Sequence, residues 1–281
     1  MKINNLKIIT GNVAGILTKS FKCKVQMFAD RAKVENVALM TFVESHLNSS
    51  FLDGEIHIDN YTILRSDRME PRRKGGIVMY VREDIAAGTE VLWAHSDSFC
   101  EVLMANVKVL QLVVVVIYRP PLCPGESFSN FLRGVSQRLN ELTPMPTLIV
   151  TGDFNLPVIN WGTEEISANR TEDRIQAEYF LEFSRSFCLE QKVVEPTRGN
   201  NILDLFLTNC ENLVRSYTVE DTIISDHRLL TFETNLLAGY LKSKCTPILP
   251  LIGYEALCFD SSEVQWDQIR MELLKVKWTS M

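Results

Sequence analysis

Apolar residues recur along this chain with two periods. Short β-prone runs stand at Leu6-Lys7-Ile8-Ile9-Thr10, Leu39-Met40-Thr41-Phe42-Val43, Val113-Val114-Val115-Val116-Ile117, Leu148-Ile149-Val150, Ile202-Leu203-Asp204-Leu205-Phe206-Leu207 and Leu229-Leu230-Thr231-Phe232. Runs of that length predict strands, and the unbroken one at 113–117 predicts a buried central strand. Ile77, Met79 and Val81 alternate with their neighbours as a half-buried strand does. Helical spacing predicts helices over 21–37, 126–142 and 171–187. The first carries Val25, Phe28 and Ala32; the second carries Phe128, Phe131, Leu132, Val135 and Leu139 on one face. Pro144 and Pro146 end the second helix. The third is capped near Thr171, with acidic Glu172 and Asp173 in its first turn. An early β-α-β unit followed by strand blocks with helices between predicts an α/β fold of two packed mixed sheets flanked by helices.

Each strand run touches a polar residue. Asn12 and Glu44 follow the first two runs, and Tyr118 follows the third. Arg119-Pro120-Pro121 comes next, and the prolines stop that strand. Gly152-Asp153-Phe154-Asn155 follows the fourth run, Asp204 sits within the fifth, and Ser225-Asp226-His227 precedes the sixth. Taken singly these are ordinary residues: Gly, Asp and Asn form turns, and an Asp in a strand caps backbone amides. Taken together, carboxylates, an amide and an imidazole at one sheet edge suit metal-assisted phosphoester hydrolysis. A carboxylate activates water, others hold Mg²⁺, and an imidazole faces the phosphate.

The ordered set Asn12, Glu44, Tyr118, Asp153, Asn155, Thr197, Asp204, Asp226 and His227 resembles the endonuclease/exonuclease/phosphatase superfamily. Tyr118-Arg119-Pro120-Pro121, Glu195-Pro196-Thr197-Arg198 and Ile202-Leu203-Asp204-Leu205 are similar to the apurinic/apyrimidinic-like endonuclease domain of non-LTR retrotransposons. The resemblance spans roughly residues 6 to 235 and implies a four-layer α/β/β/α sandwich, with the domain over 1–237. It implies Asp153 as the group that orients and deprotonates water, assisted by Asn155, and His227, oriented by Asp204, facing the phosphate. Glu44, Asn12 and Asp226 are the implied ligands of Mg²⁺, for which Mn²⁺ can substitute. Tyr118 would donate its hydroxyl, and Thr197, Arg119 and Arg198 would meet the substrate. The activity implied is nicking of one DNA strand to leave a 3′-hydroxyl that primes reverse transcription. The alternatives are a phosphatase acting on inositol lipids or other small phosphoesters, and an idle DNA-binding remnant of a decayed element.

Composition changes this picture little. With 281 residues, 46% hydrophobic and 23% charged, the chain is long enough for a single catalytic domain with a sizeable core. A net charge of −6 argues against a generic polyanion binder. One local basic cluster, Arg65, Arg68, Arg72, Arg73 and Lys74, reads equally as a phosphate contact or a solvated turn. The loop that selects the nicking site is expected near Asn209 to Ser216. The seven cysteines lack Cys-x-x-Cys spacing, so buried, reduced thiols are expected. Residues 238–281 read as a linker and an amphipathic helix with Val264, Ile269, Leu273 and Val276, similar to segments that precede a reverse transcriptase. An intracellular protein is expected, acting in the nucleus on double-stranded DNA.

Overall fold

The computed structural model describes residues 6–17, 23–68 and 74–236, which fall within one compact unit, Met1–Cys245. The expected helix near the C-terminus lies outside the described residues. In chain order the elements are β1 (Leu6–Asn12), α1 (Cys23–Glu35), β2 (Val37–Val43), β3 (Tyr61–Ser66), β4 (Ile77–Arg82), the one-turn α2 (Glu83–Ala86), β5 (Glu90–Ser96), β6 (Glu101–Val107) and β7 (Leu112–Tyr118). They continue with α3 (Gly125–Asn140), β8 (Thr147–Asp153), a short β9–β10 pair (Ile159–Asn160, Glu165–Ile166), α4 (Thr171–Ser186), β11 (Glu190–Gln191), β12 (Asp204–Thr208), β13 (Val214–Glu220) and β14 (Leu229–Thr234). Every strand and helix predicted within the described residues is present. Asp204 is the first residue of its strand rather than an interior one, so its side chain stands at the sheet edge. Thr171 is the first residue of α4 and does not cap it: Arg170 is the N-cap and offers no side-chain bond.

Two six-stranded mixed sheets carry the fold, in the orders β13-β14-β1-β2-β4-β3 and β11-β12-β8-β7-β6-β5. The parallel pairs β1–β2 and β7–β8 sit at their centres. The run through β7 is buried on both faces, which is why it lacks alternation. Val113, Val115 and Ile117 pack under α3 and α4, with Phe128, Val135 and Phe180. Leu112, Val114 and Val116 face the other sheet, where Ile8, Leu39, Met79 and Phe232 close the inner core. The Phe206 and Phe232 rings stack 3.9 Å apart between the sheets. Ile9, Phe42 and Tyr80 face outward from the first sheet, in a cluster with Phe28 of α1. The layers are therefore α/β/β/α.

Inter-strand register fixes the catalytic edge. Glu101 lies opposite Tyr118, Tyr118 opposite Asp153, and Asp153 opposite Asp204, one row across four strands. Gly152, just before the end of β8, has φ +131°, and a Cβ there would lie 1.9 Å from the Ile117 carbonyl oxygen. Backbone strain and overpacking together put the expected penalty of Gly152→Ala at about 3–5 kcal/mol, read as a lower urea midpoint for unfolding.

Candidate active site

Six segments bring their polar residues to that edge. The first sheet supplies Asn12 from the end of β1 and Glu44 directly after β2; the second supplies Tyr118, Asp153 and Asp204. His227 comes from the turn before β14. Asn12 bridges the sheets, its Nδ2 donating to Glu44 Oε1 at 2.8 Å and to Asp153 Oδ2 at 3.0 Å. The Tyr118 hydroxyl donates to the same Glu44 oxygen at 2.9 Å, and His46 Nε2 lies 3.2 Å from the other. Burial alone would raise the Glu44 pKa, but the bonds from His46, Asn12 and Tyr118 outweigh it and hold the carboxyl down at about 2. Burial, with the charge of Glu44, pushes the Tyr118 hydroxyl up, so it stays a proton donor.

Asp153 is almost wholly buried. Its Oδ1 accepts the Asn155 amide at 3.2 Å, and the Asn155 side chain donates to the Arg119 carbonyl at 2.9 Å. Burial, then the charge of Asp204, raises the Asp153 pKa. On the far side His227 Nδ1 and Asp204 Oδ2 are 2.7 Å apart, which leaves Nε2 turned toward Asp153 Oδ2 at 3.8 Å. Burial lowers the His227 pKa, yet the hydrogen bond and charge of Asp204 outweigh it and raise it overall. Thr197 Oγ1 accepts the amides of Leu203 and Asp204, each at 3.0 Å, and so fixes where β12 begins.

The arrangement suits a hard divalent cation. Asp153 and Asp204 crowd negative charge into a buried row beside Glu44, and a cation relieves such charge. Carboxylate and amide oxygens are the donors that Mg²⁺ favours. Asp153, Asp204 and His227 offer ligand atoms within 4.8 Å of one another, but the His227–Asp204 bond already commits one nitrogen and one oxygen. The better oxygen donors are the Glu44 and Asp153 carboxylates, spanned by Asn12 Nδ2, while Asn12 Oδ1 accepts the Ala14 amide at 3.0 Å.

Several expected roles change. Asp226 was expected among the metal ligands, but its side chain is 62% exposed and Oδ2 is 2.5 Å from Arg198 Nη2; no described contact joins it to Glu44 or Asn12. Arg119 was expected to meet substrate. Its buried guanidinium instead donates to the Phe154 and Asn155 carbonyls at 3.2 and 3.0 Å and to Gln176 Oε1. Arg119 therefore positions the Asp153–Asn155 turn. Truncating it as Arg119→Met leaves buried carbonyls unpaired, for an expected loss of about 2–4 kcal/mol of stability in urea unfolding. Thr197 is wholly buried and holds Asp204 rather than substrate. Arg198 stays on the exposed rim.

The segment near Asn209 lies at the opposite end of the sheets. Asn209 binds the Leu148 amide and the Pro146 carbonyl at the start of β8, about 20 Å along a seven-residue strand from Asp153. The turn at the catalytic edge is instead Arg198–Asn201, closed by reciprocal backbone bonds. Of the basic cluster, Arg65 is bound to Asp53 and Asp67, and Arg68 is buried. Arg72 and Arg73 lie outside the described residues. Cys100 and Cys123 are buried with Sγ atoms 3.5 Å apart, but Cys188 is exposed and Cys210 half-buried. His46, Gln176 and Glu101 were missed. Only His46, two residues after Glu44, had a signal in the sequence.

A family model described as endonuclease-reverse transcriptase matches residues 112–231, the span from β7 to β14 that carries Tyr118, Asp153, Asp204 and His227. The matched span is 120 of the 281 residues and holds four of the six residues gathered at the sheet junction. Among solved structures the chain is similar to the AP endonuclease LMAP of Leishmania major (TM-score 0.60, 14% identity, covering 83% of this chain and 88% of that one). It is similar to the endonuclease domain of TRAS1, a telomere-specific non-LTR retrotransposon (0.55, 15%, 83% and 99%). It also resembles the 3′ phosphatase NExo from Neisseria bound to a product DNA hairpin (0.57, 13%, 82% and 99%). No curated protein matches the chain. No helix among the described residues is long and apolar enough to cross a membrane.

Proposed function

We propose that this chain is a divalent-metal-dependent DNA endonuclease of retroelement origin. It nicks one strand of duplex DNA and leaves a 3′-hydroxyl from which a reverse transcriptase, supplied by the intact element, primes synthesis in the nucleus. The observation that carries this reading is the junction of the sheets: Asn12 ties Glu44 to Asp153, while Asp204 holds His227 with Nε2 3.8 Å from Asp153. The paired description of the matching family, and neighbours titled as a retrotransposon endonuclease domain and a DNA complex, support DNA as substrate.

Glu44 and Asp153 would hold Mg²⁺, or Mn²⁺ in its place, with Asn12 tying the two carboxylates together. Such an ion supplies charge neutralisation at the phosphoryl oxygens. Asp153 orients the attacking water and takes its proton; Asn155, braced on the Arg119 carbonyl, keeps that turn in place. Imidazole Nε2 of His227 donates to a non-bridging phosphoryl oxygen, held in orientation by Asp204. The water oxygen bonds to phosphorus, the P–O3′ bond breaks, and the departing O3′ acquires a proton. Arg198, on the exposed rim, would meet a neighbouring phosphate.

A supercoiled-plasmid assay with Mg²⁺ and with EDTA tests this reading. Open circles are expected only with metal, and their nicks should extend with a DNA polymerase. An intact plasmid, or nicks that no polymerase extends, would overturn it. The neighbour titled as a 3′ phosphatase motivates one further arm, DNA ending in a 3′-phosphate. Release of phosphate without nicking would favour that activity.

A further inference from the structure

Glu101 has no part in the mechanism above, yet it is a wholly buried acid at the catalytic edge, in the row with Tyr118 and Asp153. Its Oε2 accepts the Gly76 amide at 2.5 Å, and Oε1 lies 3.4 Å from Arg68 Nη1. Arg68 also donates to the Lys74 carbonyl. The turn so held is one that only glycine fits: φ is +108° at Gly75 and +85° at Gly76. A Cβ on Gly75 would lie 2.2 Å from Glu101 Oε1 and 2.4 Å from Arg68 Nη1, so the ion pair fills the side-chain space.

That turn grips the backbone that carries Glu44. The Gly76 carbonyl accepts the Ser45 amide at 3.0 Å, and the Gly75 carbonyl accepts the His46 amide at 2.7 Å. Glu44 and His46 both have positive φ, +51° and +58°, a conformation that non-glycine residues keep only when surroundings impose it. On the other side Gly15 and Ile16 donate to the Glu44 and Ser45 carbonyls at 2.7 and 2.9 Å. The carboxylate of Glu44 is thus aimed from both flanks, one of them anchored on the buried pair.

We propose that Glu101, ion-paired with Arg68, is a positioning residue that braces the Gly75–Gly76 turn beneath Glu44 and so sets the affinity of the site for its divalent cation. The inference rests on the proposed cation role of Glu44. Burial pushes the Glu101 carboxyl up to about 7 despite the pull of Arg68, so the brace is strongest above that pH. Supporting partners of this kind contribute about 10–100-fold to metal affinity.

Mn²⁺ titration of the full chain without DNA, followed by calorimetry at a pH above 7, reads this directly. Glu101→Gln should weaken Mn²⁺ binding about 10–100-fold and raise the Mg²⁺ concentration for half-maximal nicking by a similar factor. Excess metal should then restore the nicking rate, a rescue that a merely misfolded variant would not show. Arg68→Met, which removes the other half of the pair, should give the same metal-rescued loss should Glu101→Gln unfold. Wild-type Mn²⁺ affinity in a folded Glu101→Gln or Arg68→Met variant would overturn the brace while leaving the proposed activity standing. Failure of the wild type to bind Mn²⁺ would overturn both, and Mn²⁺ binding without nicking would overturn only the proposed activity.

Discussion

Asp153→Asn is expected to lower plasmid nicking by about 10²–10⁴-fold and, without metal, to raise the thermal unfolding midpoint. The first effect follows because the amide cannot accept the proton of water, while its one remaining oxygen keeps one of the two bonds that Asn12 and the Asn155 amide make to this side chain. The second follows from the raised pKa of Asp153, whose leading causes are burial and the charge of Asp204. A carboxyl with a folded pKa above its unfolded one favours folding below the unfolded value, and that advantage is lost as pH rises through the folded value. At higher pH the ionised Asp153 opposes folding, and the neutral amide removes that penalty. Nicking and differential scanning calorimetry on one preparation check both halves. A variant that nicks normally would remove Asp153 from the chemistry; one that is inactive and less stable would point to a structural role.

His227→Ala and Asp204→Asn should each reduce nicking by about 10²–10⁴-fold, and the double variant should lose little beyond the worse of the two. The reason is serial dependence: Asp204 acts through His227, so removing the imidazole leaves Asp204 nothing to orient. Asp204→Asn should also shift the pH profile. Asp204 is the chief favourable influence on His227, outweighing the opposing effect of burial. Without that charge the His227 pKa falls, so a step that needs the imidazolium fails at lower pH than in the wild type. A double-mutant cycle on single-turnover rates, repeated across pH, measures both. Fully additive losses would show that the two residues act separately. An unmoved alkaline limb would show that His227 works as the neutral ring.

The elements were legible because their physics is local. A run such as Val113–Ile117 states its own burial, and Phe128, Phe131, Leu132, Val135 and Leu139 state which face of α3 goes inward, so both survive in the structure. The charged residues were not legible in the same way. Arg119 adjoins Tyr118 and reads as a phosphate contact, but its fate depended on a vacant set of carbonyls at Phe154 and Asn155 and on Gln176, all distant in sequence. Asp226 adjoins His227, yet it faces outward while His227 faces in. Neighbours in the chain can occupy opposite sides of a sheet edge, and no periodicity marks which. The position of Asn209 was misjudged for a related reason: strand direction decides which end of a sheet a loop occupies.

The sequence by itself determined seven of the strands, the three long helices, a fold of two packed mixed sheets flanked by helices, and the six polar residues that the structure gathers at one edge, Asn12, Glu44, Tyr118, Asp153, Asp204 and His227. Each of these residues sits at a strand terminus or within two residues of one, and hydrophobic periodicity marks those termini. Only the tertiary structure decided which polar groups face the cleft and which serve as scaffolding. Register aligned Glu101, Tyr118, Asp153 and Asp204 in one row, and the junction of the two sheets made Asn12 a bridge. A buried polar group must find a partner wherever the folded chain supplies one. That partner is set by packing between segments far apart in sequence.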